Sequence, residues 1–261
     1  MLAALLVAMP VRADAPSSVR LEDVTWTELR AAIAAGKTTI IIPVGGTEQN
    51  GPLMALGKHN VRVRALAESI ARALDNALVA PVVAYVPEGS ISPPTEHMRF
   101  PGTITVSDET FEDLLASAAR SLKLAGFTDI VLIGDHGGYQ KDLQIVAERL
   151  NKDWSATPAR AHFIAEYYRA TLGEYARALL SHGARERDIG THAALADTAL
   201  MLAIDPALVR QEQLKASKSL GPADGIYGGE PTGATAALGQ LGVDLIVRNT
   251  VEAIRKATLR H

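Results

Sequence analysis

Three groups of residues in this chain have the types and spacing to do chemistry. Glu48, Asn50 and His59 lie within VGGTEQNGPLMALGKHN (Val44–Asn60), a Gly- and Pro-broken loop that follows the apolar run TTIIIP. Asp135 and His136 lie in IGDHGGYQ, directly after the apolar IVLI. His192 and Asp197 lie in THAALAD. Carboxylates and imidazoles gathered at strand ends are the groups that bind divalent metal ions and move protons. A lone His is more often a hydrogen-bonded structural residue. For His136, its place at a strand end and the Gly137-Gly138 pair after it, where the backbone can turn sharply or approach a ligand, favour function. PPTEHMRFPGT adds Glu96 and His97 in a Pro-bounded loop, a segment of a kind that often lines sites, with a plain surface role equally open. His162, His182 and His261 have no partner close in sequence and are read as structural.

The elements that must position these groups alternate in type. Thr25-x-x-Glu28 is a capping box that starts a helix ending near Gly36. TTIIIPV is β-branched and continuous, as a buried parallel strand is. A helix follows from Asn60, a second strand, LVAPVVAYV, from Leu78, and a helix from Ser107, its N-cap, to Gly126, its stop. TDIVLIGD is a third strand, YQKDLQIVAERLN a helix, and AHFIAEYY a fourth strand. HAALADTALMLAI reads as a helix from His192, on which His192 and Asp197 would point apart by roughly 140°. VDLIVRNTVEAIRKATL is a C-terminal helix. The Gly-rich GPADGIYGGEPTGATAALG before it lacks the Gly-Lys-Ser/Thr ending of a phosphate loop, and is read as a mobile flap or an ordered surface loop. This alternation predicts an α/β fold: a single α/β/α layered domain on a mostly parallel sheet.

Composition narrows the classes of function. The chain has 261 residues, 48% hydrophobic and 21% charged, enough for one large core. A net charge of −3 gives no broad attraction to nucleic acid or an anionic membrane. With no Cys there is no disulfide, thiolate nucleophile or Cys-rich zinc site, so any metal must be held by His and carboxylates. Residues 1–15 combine a short apolar stretch, Leu2 to Met9, with Ala13-Asp14-Ala15, the pattern of a cleavable export leader. The expectation is a periplasmic or secreted protein whose domain spans residues 16–261; a cytoplasmic protein with an apolar N-terminus is the alternative.

PVGGTEQNGPLMALGKHN, EHMRFPGTITVSDETF, IVLIGDHGGYQ and THAALADTALMLAIDP, in this order from about Trp26 to the last helix, together resemble the creatininase (creatinine amidohydrolase) family. The resemblance implies a single α/β domain, often hexameric, with a two-metal site that hydrolyses small or cyclic amides. The family's opening loop runs Glu-x-His-Gly-Pro-His-Leu-Pro-Leu-Gly-x-Asp. Glu48 matches its first ligand, Asn50 stands where the family has a His ligand, and His59 where it has the Asp that bridges both metals. His136 matches the His of Asn-Gly-His-Gly-Gly-Asn, here Gly-Asp-His-Gly-Gly-Tyr. His192 matches a proton-transfer His. Asp197 replaces a Glu that in many members reaches the second metal.

These departures have a chemical reading. A neutral imidazole offers one lone pair and cannot bridge two ions as a carboxylate does, and Asn is a poor transition-metal ligand. The expectation is therefore one metal ion per chain rather than two, Zn with Mn or Fe as alternatives, on Glu48, His59 and His136, with Asp197 orienting His192 or the water or holding a weak second ion. His192 and Asp197 would be the catalytic proton-transfer pair, and Asp135 would orient a ligating His. Asn50, Glu96, His97 and Tyr139 would contact a small-molecule substrate. The expected activity is hydrolysis of a small or cyclic non-peptide amide by metal-activated water, in a homo-oligomer. A non-catalytic exported relative that binds a small molecule, and a lactone-cleaving hydrolase, are the alternatives.

Overall fold

A computed structural model describes residues 18–217 and 220–259. The leader-like residues 1–15 and His261 lie outside the described residues. In chain order the elements are α1 (Trp26–Ala34), β1 (Thr39–Val44), α2 (Lys58–Leu74), β2 (Ala77–Val79), α3 (Asp108–Ala125), β3 (Asp129–Gly134), α4 (Gln140–Asp153), β4 (Arg160–Phe163), α5 (Glu166–Leu172), α6 (Glu174–Ser181), α7 (Glu186–Ile189), β5 (Gly190–His192), α8 (Leu195–Ile204), α9 (Gln211–Ala216), β6 (Tyr227–Gly229) and α10 (Ala236–Thr258).

The β-branched run after Thr38 forms β1, buried at every position because the sheet is covered on both faces. Four parallel strands pair in the order β2-β1-β3-β4. Alternate side chains of β1 and β3 feed two separate cores. Ile40, Ile42, Ile130 and Leu132 pack with Phe111 and Leu115 of α3 and Leu143 and Val146 of α4. Ile41, Val131 and Ile133 pack with Val63 and Leu66 of α2, Tyr167 of α5, Leu200 of α8 and Ile246 of α10. The result is the expected α/β/α layering. Among the described residues no helix is long and apolar enough to cross a membrane.

The local signals read from sequence are present. Thr25 and Glu28 form the capping box. Ser107 Oγ accepts from Thr110 N at 3.2 Å, and Gly126 ends α3 in the left-handed conformation at φ 116°.

Four elements differ from the expectation, the last of them the C-terminal helix. The strand from Leu78 stops at Val79, because Pro81 removes a ladder donor; beyond it only a bridge between Val83 and Val44 continues the pairing. The fourth strand ends at Phe163, and the following residues turn into α5. His192 is not on a helix: it ends β5 and pairs antiparallel with Tyr227 of β6, which the Gly-rich segment supplies. Ala193, at φ 54°, breaks the chain between strand and α8. The 140° separation expected on a helix therefore does not apply to His192 and Asp197.

α10 starts at Ala236, capped by Thr235, well before Val243. Its early glycines let it cross α8 with backbones nearly touching: a Cβ on Gly239 would lie 1.8 Å from the Ala199 carbonyl oxygen. Gly239→Ala is expected to cost about 1–3 kcal/mol in a denaturation experiment by overpacking, although Ala is the better helix former by about 1 kcal/mol.

Candidate metal centre

The chain leaves β1 for β2 on one side and returns to β3 on the other, and the register Val44↔Gly134 sets the carboxyl ends of β1 and β3 level. Open α/β sheets bind ligands in such a crevice. Tyr139 closes its floor. Its hydroxyl accepts from the N–H groups of Asp135 (3.1 Å) and His136 (3.0 Å), donates to Gly45 O (2.6 Å) and lies 2.9 Å from Val44 O. Tyr139 is fully buried, so the expectation of a substrate contact is corrected: this hydroxyl clamps two strand ends together.

Glu48, in the loop beyond β1, is also fully buried, and its two oxygens meet different surroundings. Oε1 faces His59 Nε2 at 2.6 Å, Lys58 Nζ at 3.4 Å and His192 Nδ1 at 3.6 Å. Oε2 has no hydrogen-bond partner, with His97 Nε2 at 3.3 Å and His136 Nε2 at 3.6 Å. Burial works against ionising Glu48, but His59 and Lys58 more than offset it and hold the carboxyl well below the usual range.

On the Oε2 side lies a second buried acid. Glu88 follows the segment bridged to β1, and its backbone N–H donates to Thr105 Oγ1 at 2.9 Å. Neither of its carboxylate oxygens has a hydrogen-bond donor within reach, and His136 Nδ1 stands 3.7 Å from Oε2. Burial, and then the charge of Glu48, push the Glu88 carboxyl up to about 10. Burial lowers His136 to about 4 and shifts His97 in the same direction. Ligand atoms of Glu48, Glu88, His97 and His136 all lie within 4.8 Å of one another. Buried carboxylate oxygens without partners are costly unless a proton or a cation satisfies them. Two carboxylates and two imidazoles are a donor set that suits Zn, Mn or Fe.

The expected ligand His59 is not in this cluster. Both its nitrogens face carboxylates, Nε2 that of Glu48 and Nδ1 that of Asp135 at 2.5 Å, so neither offers a free lone pair. Asp135 also accepts from Tyr167 Oη (2.7 Å) and Arg62 Nε (2.8 Å). It does orient an imidazole, but one outside the cluster. Asp197 is also elsewhere. Its Oδ2 accepts from Lys58 Nζ and from Ala193 N, each at 3.0 Å, and its Oδ1 from Arg62 Nη1 at 2.6 Å. Burial opposes its charge, and Lys58 and Arg62 override burial to keep its pKa well below the usual value.

Two expected substrate contacts are misplaced as well. Asn50 is buried, and its amide donates to Glu48 O (2.9 Å) and Ala55 O (3.0 Å), which holds the Glu48 loop in shape. Glu96 is exposed, outside both the cluster and the cavity beside it. His97, the other residue of that pair, points inward and joins the cluster.

A cavity of about 410 Å³ opens beside the cluster, lined by His97, His136, His192, Lys58, Tyr168 and Tyr227 among others. His192 stands over it with its Nε2 between the carbonyl oxygen of Gln49 (3.0 Å) and the Gln49 amide nitrogen (3.1 Å). The same amide nitrogen lies 3.0 Å from His97 Nδ1, so one glutamine ties the two imidazoles together. Burial, reinforced by Lys58, lowers His192 to about 3.

Glu88, Gln49, Lys58 and Arg62 were missed from sequence. Glu88 carried a usable signal, a carboxylate in Pro-Glu-Gly directly after an apolar run. The other three matter only through contacts made by folding.

The family model for creatininase, described as creatinine amidohydrolase, matches residues 22–254. The chain belongs to the creatininase family. It is 28% identical over 152 residues to a 3-dehydro-scyllo-inosose hydrolase of Thermotoga maritima, covering 54% of this chain and 46% of that protein. It is 34% identical over 109 residues to a mycofactocin precursor peptide peptidase of Mycobacterium tuberculosis (38% and 41% covered). It is 29% identical over 129 residues to a creatinine amidohydrolase of Pseudomonas putida (49% and 48% covered). The chain thus spans less than half the length of these curated relatives. In structure it resembles a creatininase with a TM-score of 0.78 at 22% identity, covering 94% of this chain and 100% of that one. A creatininase mutant of Zn-Zn type gives 0.76 at 22% identity, with 93% and 99% covered. At such identity these structures establish the shared creatininase fold.

The clamp on the strand ends gives a prediction. Tyr139→Phe leaves two N–H groups and a carbonyl without their partner, and is expected to cost about 1–3 kcal/mol of stability. Its melting temperature should fall, whereas KM for any substrate found should not change.

Proposed function

We propose that the protein is a metal-dependent hydrolase of a small or cyclic non-peptide amide, with one divalent ion held by Glu48, Glu88, His97 and His136. The observation that carries this reading is the convergence of buried carboxylate oxygens that lack hydrogen-bond partners and two weakly basic imidazoles on one point beside a cavity. When bound, the ion supplies Lewis acidity and water activated near neutral pH, with Zn preferred and Mn or Fe compatible.

The chain's own residues supply the rest. Glu48 and Glu88 would bring the negative charge that retains a cation, and burial disfavours the doubly protonated cationic form of His97 and His136, which leaves each imidazole one nitrogen lone pair to offer. His192, which lines the cavity, would carry a proton from water to the leaving nitrogen; its lowered pKa makes the neutral ring a weak base and the protonated ring a strong acid, which favours the donating half of that role. Asp197 neutralises Lys58 and Arg62, and its one tie toward His192 is through the backbone N–H of the next residue, Ala193. The cavity is the size of a small-molecule site, which fits a small ring better than a long chain.

A lactone is the alternative substrate, because activated water attacks either carbonyl. Binding without turnover is favoured by the departures at Asn50 and His59, and a panel of lactams and lactones separates the three outcomes. Export and a homo-oligomeric assembly are part of the same proposal, resting on residues 1–15 and on the family resemblance.

Two experiments test this reading. Metal-free protein keeps Glu88 protonated up to about pH 10, and a ligating carboxylate must lose its proton. Calorimetric titration with Zn²⁺ at pH 8 in buffers of different ionisation enthalpy should show one ion bound and about one proton released per chain. Affinity should rise with pH and level off near 10. Glu88→Gln should abolish the proton release and weaken binding beyond the about 10–100-fold that losing a supporting partner costs. His192→Asn should keep its metal and lose about 10²–10⁴ in kcat. Zn²⁺ binding with no proton release would remove Glu88 from the ligand set.

A further inference from the structure

We propose that the Lys58 ammonium is a permanent replacement for the second metal ion of the two-ion creatininases. This inference rests on the one-ion reading above and adds to it why a second ion is not bound.

Lys58 is the first residue of α2 and is 1% exposed. Its Nζ lies 3.4 Å from Glu48 Oε1 and 3.0 Å from Asp197 Oδ2. The two carboxylates come from distant parts of the chain, the loop after β1 and the first turn of α8. A buried cation between two such groups links them as a bridging ion would. The rest of the surroundings agree. His59 Nε2 and His192 Nδ1 approach the same Oε1, at 2.6 and 3.6 Å. Two carboxylates meet the ammonium and His192 Nδ1 stands beside the shared Glu48 oxygen, a donor set of the kind that holds a divalent ion.

The two oxygens of Glu48 divide the work. Oε2 faces His97 and His136 of the cluster, and Oε1 faces Lys58, so one carboxylate spans an ion site and a fixed charge as it would span two ions. Asp197 is not free to leave. Arg62, one turn along α2 from Lys58, holds its other oxygen at 2.6 Å and is itself anchored by Asp135 at 2.8 Å. A divalent ion entering beside Oε1 would have to displace the ammonium and break this chain of ion pairs. The residues here therefore do not fit a second ion, in contrast to the Zn-Zn creatininase.

The test counts ions. Chelator-stripped full-length protein is titrated with Mn²⁺, the ions bound are counted by native mass spectrometry, and the electron paramagnetic resonance spectrum is recorded. The wild type should take one ion with an isolated spectrum. Lys58→Ala should take two, the second more weakly, with an exchange-coupled spectrum. Lys58→Gln, closer in volume, serves if the Ala variant does not fold. The double variant Lys58→Met/Asp197→Asn removes charge and counter-charge together and should return to one. Two ions in the wild type would overturn the inference whatever the variants do. One ion in the wild type and in the folded Lys58 variants would overturn it but leave the one-ion reading standing. No ion in any of these proteins would remove both.

Discussion

A carboxylate with no exposure to water must have both oxygens satisfied from within the protein, and Glu48 is such a group. Much of the architecture around the crevice follows from that need. The loop beyond β1 passes so close to the start of α2 that a Cβ on Gly45 would lie 2.9 Å from the Asn60 Cα. This approach brings the first turn of α2 against Glu48, with Lys58 and His59 on it, and the positive end of the helix dipole adds to their charge. On the far side no equivalent charge is provided. There Glu88 adds a second acid instead, which burial and the charge of Glu48 hold in its neutral, protonated form until a cation displaces the proton.

The polar interior thus has two halves with opposite energetics. In one, Asp135 and Asp197 are fully engaged by Arg62, Lys58, His59 and Tyr167, a closed network that holds its members in fixed geometry. Such a network contributes little net stability, because desolvation offsets most of its attraction. In the other half, oxygens of Glu48 and Glu88 are left over. The two apolar cores on either face of the sheet supply the stability that lets this second half stay unsatisfied.

What the sequence disclosed and what it withheld divide along the range of the interactions involved. β1 and β3 were legible because burial on both faces demands an unbroken apolar run. The cap at Ser107 and the stop at Gly126 are local events within a few residues. Glu48 and His136 stood out because each directly follows such a strand. His192 was read onto a helix because its neighbours are good helix formers; its pairing with Tyr227 is a long-range contact that no window around it records. His59 was read as a ligand by position, but its task depends on Asp135, brought to it only by the packing of α2 on β3. Tyr139 is the converse: a residue beside a glycine pair looked like a substrate contact, yet its hydroxyl is spent on four backbone groups of two strands.

The charge of Lys58 is carried by the polypeptide itself. A dissolved ion has to be captured from its surroundings, with a loss of translational freedom at each binding event. A side chain has paid that cost once, when α2 docked on the sheet, and it is then present at one per chain regardless of dilution, chelators or competing ions. For that half of the crevice, occupancy is set by translation of the gene and not by the metal supply of the compartment.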